Sequence, residues 1–236
     1  MSSISAGRRA AWRSGIIYTA SVSPSYLVFG AVCGISAKQA GMSLLQAFLF
    51  PALVFGGSSQ VVLISLLLAG APVAIVILSA VIVNGRMAIY SAIFSQWMRA
   101  HTRGERAKVA PLLVDQTYVA VVGYREREGQ ADPYWLDHYF AAGISLWLYW
   151  IATNVIGYMA GQIVPSHWQL EFAVPLSFVA VLAPMAKRAP MAVAAALGAG
   201  LSLVFFSLPL KLGLIAACFV GVAIMLGLDR KFKWMP

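Results

Sequence analysis

The chain has 236 residues and a net charge of +9, yet only 11% of its residues are charged, 61% are hydrophobic and the mean hydropathy is +0.80. Soluble domains carry about a quarter charged residues, so this composition excludes a water-soluble globular protein and places the chain in a lipid bilayer. The basic residues fall in short clusters between apolar stretches, where they set orientation in the bilayer instead of binding nucleic acid.

A helix needs roughly 20 apolar residues to cross about 30 Å of hydrocarbon. In chain order the full-length candidates are residues 15–37, 44–68, 72–96, 139–162, 190–208 and 212–228, while 109–123 and 172–186 are shorter. The first is too long for a signal peptide and lacks a small-x-small cleavage site before Lys38, so it reads as a retained helix. The expected fold is therefore all-α: one polytopic membrane domain over residues 1–236, with about 6–8 segments, some short, broken or re-entrant.

Arginine and lysine mark the cytoplasmic side. The clusters are Arg8/Arg9/Arg13, Arg99/Arg103/Arg106/Lys108, Arg125/Arg127, Lys187/Arg188 and Arg230/Lys231/Lys233, which puts both termini on the cytoplasmic side of the cell membrane. Strict alternation of crossings places the second and third clusters on opposite faces. The conflict disappears if 109–123 dips in and returns and one of the first three segments does the same. Irregular backbone at membrane depth survives only beside protein or a water-filled cavity, so the conflict itself points to a cavity.

Breaks are expected at Ser23-Pro24-Ser25, at Pro51 with Gly56–Gln60, and at Pro175 and Pro184. Small residues four apart, at Gly30/Gly34, Gly157/Gly161 and Gly213/Ala217/Gly221, read as close helix contacts. AKQAGM at 37–42 echoes AKRAPM at 186–191, as an inverted repeat would, although so short a likeness arises readily by chance. Tyr134, Trp135, Tyr139, Trp168 and Trp234 read as interfacial anchors. Cys33 and Cys218 read as buried apolar residues, and His101, His138 and His167 are too scattered for a metal site.

Two charges lie inside apolar segments. Arg86, in VIVNGRMAIYS with Asn84 and Tyr90 nearby, sits too far from either end of its segment to reach water easily. It either holds unwound backbone or a distant carboxylate, or binds the carboxylate of a small substrate through its planar fork. Asp115, in LLVDQTYVAVV, is its natural counter-charge and serves either stability or proton and cation coupling. FGGSSQ (Phe55, Gly56, Gly57, Ser58, Ser59, Gln60) offers hydroxyls, an amide and a half-helix N-terminus suited to an anion, or else plain glycine and serine packing. Asn154 reads as an interhelical hydrogen bond. No nucleophile–base set, P-loop or dinucleotide fingerprint appears, so no catalytic residues, cofactor or enzyme activity are expected.

FGGSSQ, NGRMAIYS and LVDQTYVAV, in that order and spacing, resemble the AzlC-type (azaleucine resistance) large subunits of bacterial branched-chain amino-acid exporters, over about residues 15–227. The chain keeps that pattern at Gln60, Arg86, Tyr90 and Asp115, but has Met87 where histidine is usual and Gln116 where glutamate is usual. The resemblance implies a secondary exporter of hydrophobic amino acids that works with a small AzlD-type membrane subunit. In that scheme Arg86 and the Gly56–Gln60 element hold the carboxylate, with Asn84 and Tyr90 beside them, and Asp115 receives the amino group or a proton. The rival expectations are a membrane scaffold glued by an Arg–Asp pair, and the permease of an ATP-driven importer, for which no convincing coupling loop is present.

Overall fold

The computed structural model describes residues 2–161, 189–208 and 212–232, which form helices joined by turns, with no strand among them. The helices are α1 (Ser2–Gln39), α2 (Leu44–Leu53), α3 (Gly57–Leu68), α4 (Val73–Asn84), α5 (Arg86–Trp97), α6 (Arg103–Val109), α7 (Asp115–Glu128), α8 (Trp135–Ala160), α9 (Ala189–Val204) and α10 (Leu212–Phe232). By length and composition α1 and α8 can cross a membrane, as can α4 and α5 if their bent pair counts as one span. The segment 172–186 with its two prolines, Trp168, Trp234 and most of the AKRAPM stretch lie outside the described residues.

The frame is the parallel pair α1 and α8, set together by the small residues. A Cβ on Gly15 would sit 2.6 Å from the carbonyl oxygen of His138, one on Gly34 2.0 Å from that of Asn154, and one on Gly157 2.2 Å from that of Ala31. Without those side chains the backbones approach closely, which drives helix association in lipid, where burying apolar surface gains nothing. On the other hairpin, a Cβ on Gly213 would lie 2.0 Å from the Phe205 carbonyl oxygen.

Pro24 does not break α1, contrary to expectation. Proline denies a hydrogen bond to the carbonyl four residues earlier, here Ala20, and the Ser23 hydroxyl donates to that oxygen instead at 2.8 Å. The serines that looked like a break thus keep the helix whole.

With α8 as a ruler, the segment 44–68 is a hairpin and not a single span. It starts beside Tyr158, whose hydroxyl donates to the Met42 carbonyl at 2.7 Å. It descends to Ala52, whose carbonyl accepts from Trp147 Nε1 at 3.0 Å, then turns at Val54–Gly56 and climbs through Gln60, beside Trp150 and Asn154, back to Ile64, beside Ala37 and Tyr158. Pro51 lies within α2, so the break falls after it.

Residues 103–128 make the opposite excursion, as expected for the short segment. The Val109 carbonyl accepts from Tyr139, Leu112 lies against Gly143, and α7 then returns until Tyr124 stacks on His138 with ring centroids 4.3 Å apart. Between the hairpins α4 and α5 form a pair bent by about 40° at Gly85.

These excursions bring the first three basic clusters to one end of the molecule. Arg8 pairs with Asp137 at 2.7 Å, Arg106 donates to the Met98 and Arg99 carbonyls, and Arg125 lies over the Trp97 and Trp135 rings at 4.6 and 5.3 Å. Trp135 and Tyr139 are buried (6% and 0% exposed) in this aromatic cluster with Phe94, which corrects their reading as interfacial anchors. Cys218 is exposed and not buried, while Cys33 is buried as expected.

Candidate functional site

The turns of the two hairpins meet where α4 gives way to α5, both touched by Arg86. Both return helices, α3 and α7, begin there, so two helix N-termini with their free N–H groups converge on one spot. The α3 N-terminus has no side-chain cap: Gly56 is its extended N-cap residue, and Ser59 Oγ donates to the Gly56 carbonyl at 2.8 Å. A Cβ on Gly56 would meet that Ser59 oxygen at 2.7 Å, so a larger residue there would displace the hydroxyl. The α7 turn is fixed by Thr117, whose Oγ1 accepts from the Val114 N–H at 2.9 Å and donates to the Leu112 carbonyl at 2.6 Å.

Arg86, the first residue of α5, reaches both turns. Its Nη2 lies 3.0 Å from Asp115 Oδ2 and also donates to Ser58 Oγ. Tyr90, one helical turn on, donates to the other carboxylate oxygen, Asp115 Oδ1, at 2.7 Å and stacks on Tyr118 with ring centroids 4.5 Å apart. Asp115 opens α7, where a negative charge is favoured by the helix dipole. The Arg86 and Asp115 side chains remain 33% and 35% exposed, while Arg86 Nε is buried with no acceptor among the described residues. The cluster is neither a sealed salt bridge nor a surface one. It is an accessible ion pair whose two charges suit a small ligand bearing both signs of charge.

The remaining expected residues divide. Asn84 stands beside Gly56, its Oδ1 3.6 Å from where a Gly56 Cβ would be. Gly57 is a packing residue, since a Cβ there would enter the Phe29 ring at 2.3 Å. Ser59 and Gln60 are buried at 0% and 1% exposure. Gln60 Nε2 donates to Asn154 Oδ1 at 2.7 Å, and its Oε1 accepts from Trp150 Nε1 at 3.1 Å. The Gln60 amide is thus bound into the contact of α3 with α8, and Asn154 makes the interhelical bond expected of it. Sequence reasoning missed Thr117 and Tyr118. The spacing of Tyr90, Phe94 and Trp97 by four and three residues marks an aromatic face on α5 and was the available signal.

The model of the AzlC protein family matches residues 21–164, well over half of the chain. The chain belongs to the AzlC family. It is 28% identical over 224 residues to an uncharacterized membrane protein of Archaeoglobus fulgidus, covering 92% of this chain and 95% of that one. It is also 24% identical over 209 residues to the inner membrane protein YgaZ of Escherichia coli K12, covering 84% of each. An uncharacterized membrane protein of Helicobacter pylori is 26% identical over 183 residues, 75% of this chain and 77% of that one. No solved structure matches significantly. This AzlC protein is thus an all-α membrane protein, and the matched region contains both hairpins and the Arg86–Asp115 cluster.

Proposed function

We propose that this AzlC protein is the large subunit of a two-component secondary exporter of branched-chain or similar hydrophobic amino acids. The accessible Arg86–Asp115 pair at the two converging N-termini carries this reading. An amino-acid carboxylate there meets the guanidinium and the first N–H groups of α3, while the ammonium meets Asp115. A zwitterion in a low-dielectric site needs both charges met, because an unpaired one is costly. The end that gathers Arg8, Arg99, Arg106 and Arg125 is taken as cytoplasmic. The exposed apolar row Val73, Ile77, Val81 and Ile89 is left for lipid or a small AzlD-type subunit. The chain carries no ATP-binding motif, so any ATP-driven role would require a separate subunit.

The test is valine efflux from cells expressing the chain with and without the small subunit. Arg86→Lys keeps the charge but loses the fork, and should abolish efflux at unchanged membrane levels; full efflux by this variant overturns the carboxylate role. The scaffold reading has one observation in its favour, since Arg86 ties both hairpin turns together through Ser58 and Asp115. The charge exchange described in the Discussion separates the two.

A further inference from the structure

The charged site continues into a seam of rings between α5 and α7 that runs to the basic end. From α5 come Tyr90, Phe94 and Trp97; from α7 come Asp115, Tyr118 and Arg125. The contacts form an unbroken series. Tyr90 bonds Asp115 and stacks on Tyr118, and Tyr118 lies 6.3 Å from Phe94. Phe94 packs on Trp97 at 5.1 Å and on Trp135 at 5.9 Å, and Arg125 covers both indoles. Phe94, Met98 and Val121 are 3%, 2% and 0% exposed, so this side of the site is closed by packed side chains. The α5 end of the seam has a built-in pivot. At Gly85 the helix changes direction by about 40°, with the short-range bonds Gly85 N–H to Ile82 carbonyl (3.0 Å) and Ala88 N–H to Gly85 carbonyl (3.1 Å).

We infer that this seam is the gate toward the basic end, and that an amino-acid zwitterion opens it by inserting between Arg86 and Asp115; the inference rests on the amino-acid reading above. The closed seam is fastened at its inner end by one direct ion pair of 3.0 Å. A zwitterion that satisfies both partners replaces that contact with two, carboxylate to Arg86 and ammonium to Asp115, with its own α-carbon between them. Each such bond is about 2.8 Å long, so the first turns of α5 and α7 must move apart by more than a bond length. Packed rings do not stretch to follow. They give way to a second arrangement, and α5 swings about Gly85. A ligand with one charge frees one partner and leaves the other unpaired at low dielectric, so it gains nothing by separating them. The ion pair therefore reports the presence of both charges before the aromatic seam opens.

The test places one cysteine in the seam. The native Cys218 is exposed and is removed as Cys218→Ser, while Cys33 is buried. Val121→Cys, a near-isosteric change at a 0% exposed site, is labelled with a membrane-impermeant maleimide in inside-out vesicles carrying the full chain and its small subunit. Met98→Cys, 2% exposed, is the second position if the first variant fails to accumulate. Leucine, isovalerate (carboxylate only) and 3-methylbutylamine (ammonium only) are compared, and leucine binding is read separately as a rise in the melting temperature of the same preparation. Opening populations of 0.1–10% are usual for a resting minor state, so leucine should speed labelling by about tenfold or more, with no effect of either single-charge analogue. If leucine raises the melting temperature and labelling does not change, the gate is overturned and the amino-acid site stands. An analogue as effective as leucine overturns the wedge. Leucine with no effect on melting, in the presence of the small subunit, overturns the substrate reading and this inference with it.

Discussion

Gly34 and Asn154 meet backbone against backbone: a Cβ on the glycine would lie 2.0 Å from the Asn154 carbonyl oxygen and 2.6 Å from the Tyr158 nitrogen. Neither atom is the end of a flexible side chain, so α1 and α8 would have to separate. Gly34→Val should cost at least about 1–3 kcal/mol, the usual penalty of overpacking, read as a lower melting temperature in detergent or lost membrane accumulation. Gly198→Ala is the control. Among the described residues a Cβ there meets nothing within 4 Å, and in a helix interior alanine should be neutral or better by up to about 1 kcal/mol.

Gln60 distinguishes packing from ligation. Gln60→Leu leaves both Asn154 Oδ1 and Trp150 Nε1 without their partner. Each buried unsatisfied group costs about 1–3 kcal/mol, so stability should fall by a few times the thermal energy and efflux should fall with the amount of folded protein. The apparent substrate affinity of the surviving protein should stay unchanged. A raised KM at full membrane level would return Gln60 to the ligand set.

Charge exchange at the central pair separates carrier from scaffold. Arg86→Asp and Asp115→Arg should each lower membrane levels, because each leaves two like charges facing each other across 3.0 Å. The double variant restores an ion pair between the hairpin turns and should recover accumulation. Efflux should stay absent, since an arginine at the head of α7 no longer presents an acceptor to the ammonium. Recovery of both together would mean that the pair acts as glue.

The pH response outside the membrane segments is most readily followed at α6. The Thr102 backbone N–H donates to Glu105 at 2.8 Å, and the Thr102 hydroxyl adds a second bond. Chiefly the first of these holds the carboxyl below its ordinary pKa. A depressed carboxyl stabilises the fold above its unfolded pKa, and that contribution is lost as pH falls through the folded value. Protection of the α6 amides, measured against their intrinsic exchange rates, should therefore fall on acidification below the usual carboxylate range, and Glu105→Gln should remove the dependence.

Some of the architecture was legible in the pattern of residues. Gly30, Gly34, Gly157 and Gly161 marked the α1–α8 contact because small residues four apart leave a groove on a helix whatever surrounds it. The clash between basic clusters at 99–108 and 125–127 pointed to a re-entrant 109–123, which lies within the longer 103–128 excursion, because charge bias is a count along the chain. Pro24 misled, because whether proline breaks a helix depends on who takes over the orphaned carbonyl, and Ser23 does so here. Trp135 misled too, since an aromatic residue near a helix end is an anchor or a core residue according to what packs on it.

The sequence by itself determined the solvent, the helical class and the two charges set within apolar segments, for these follow from composition and from the high cost of ions in hydrocarbon. Tertiary structure decided that Arg86 touches both hairpin turns, that Gln60 is absorbed into the α8 contact, and that rings from α5 and α7 close one side of the pair. Residues 58, 86 and 115 are far apart along the chain, and no local periodicity encodes which turn of one hairpin will meet which turn of another. That choice is made where backbones without side chains can come closest, and only the folded molecule contains it.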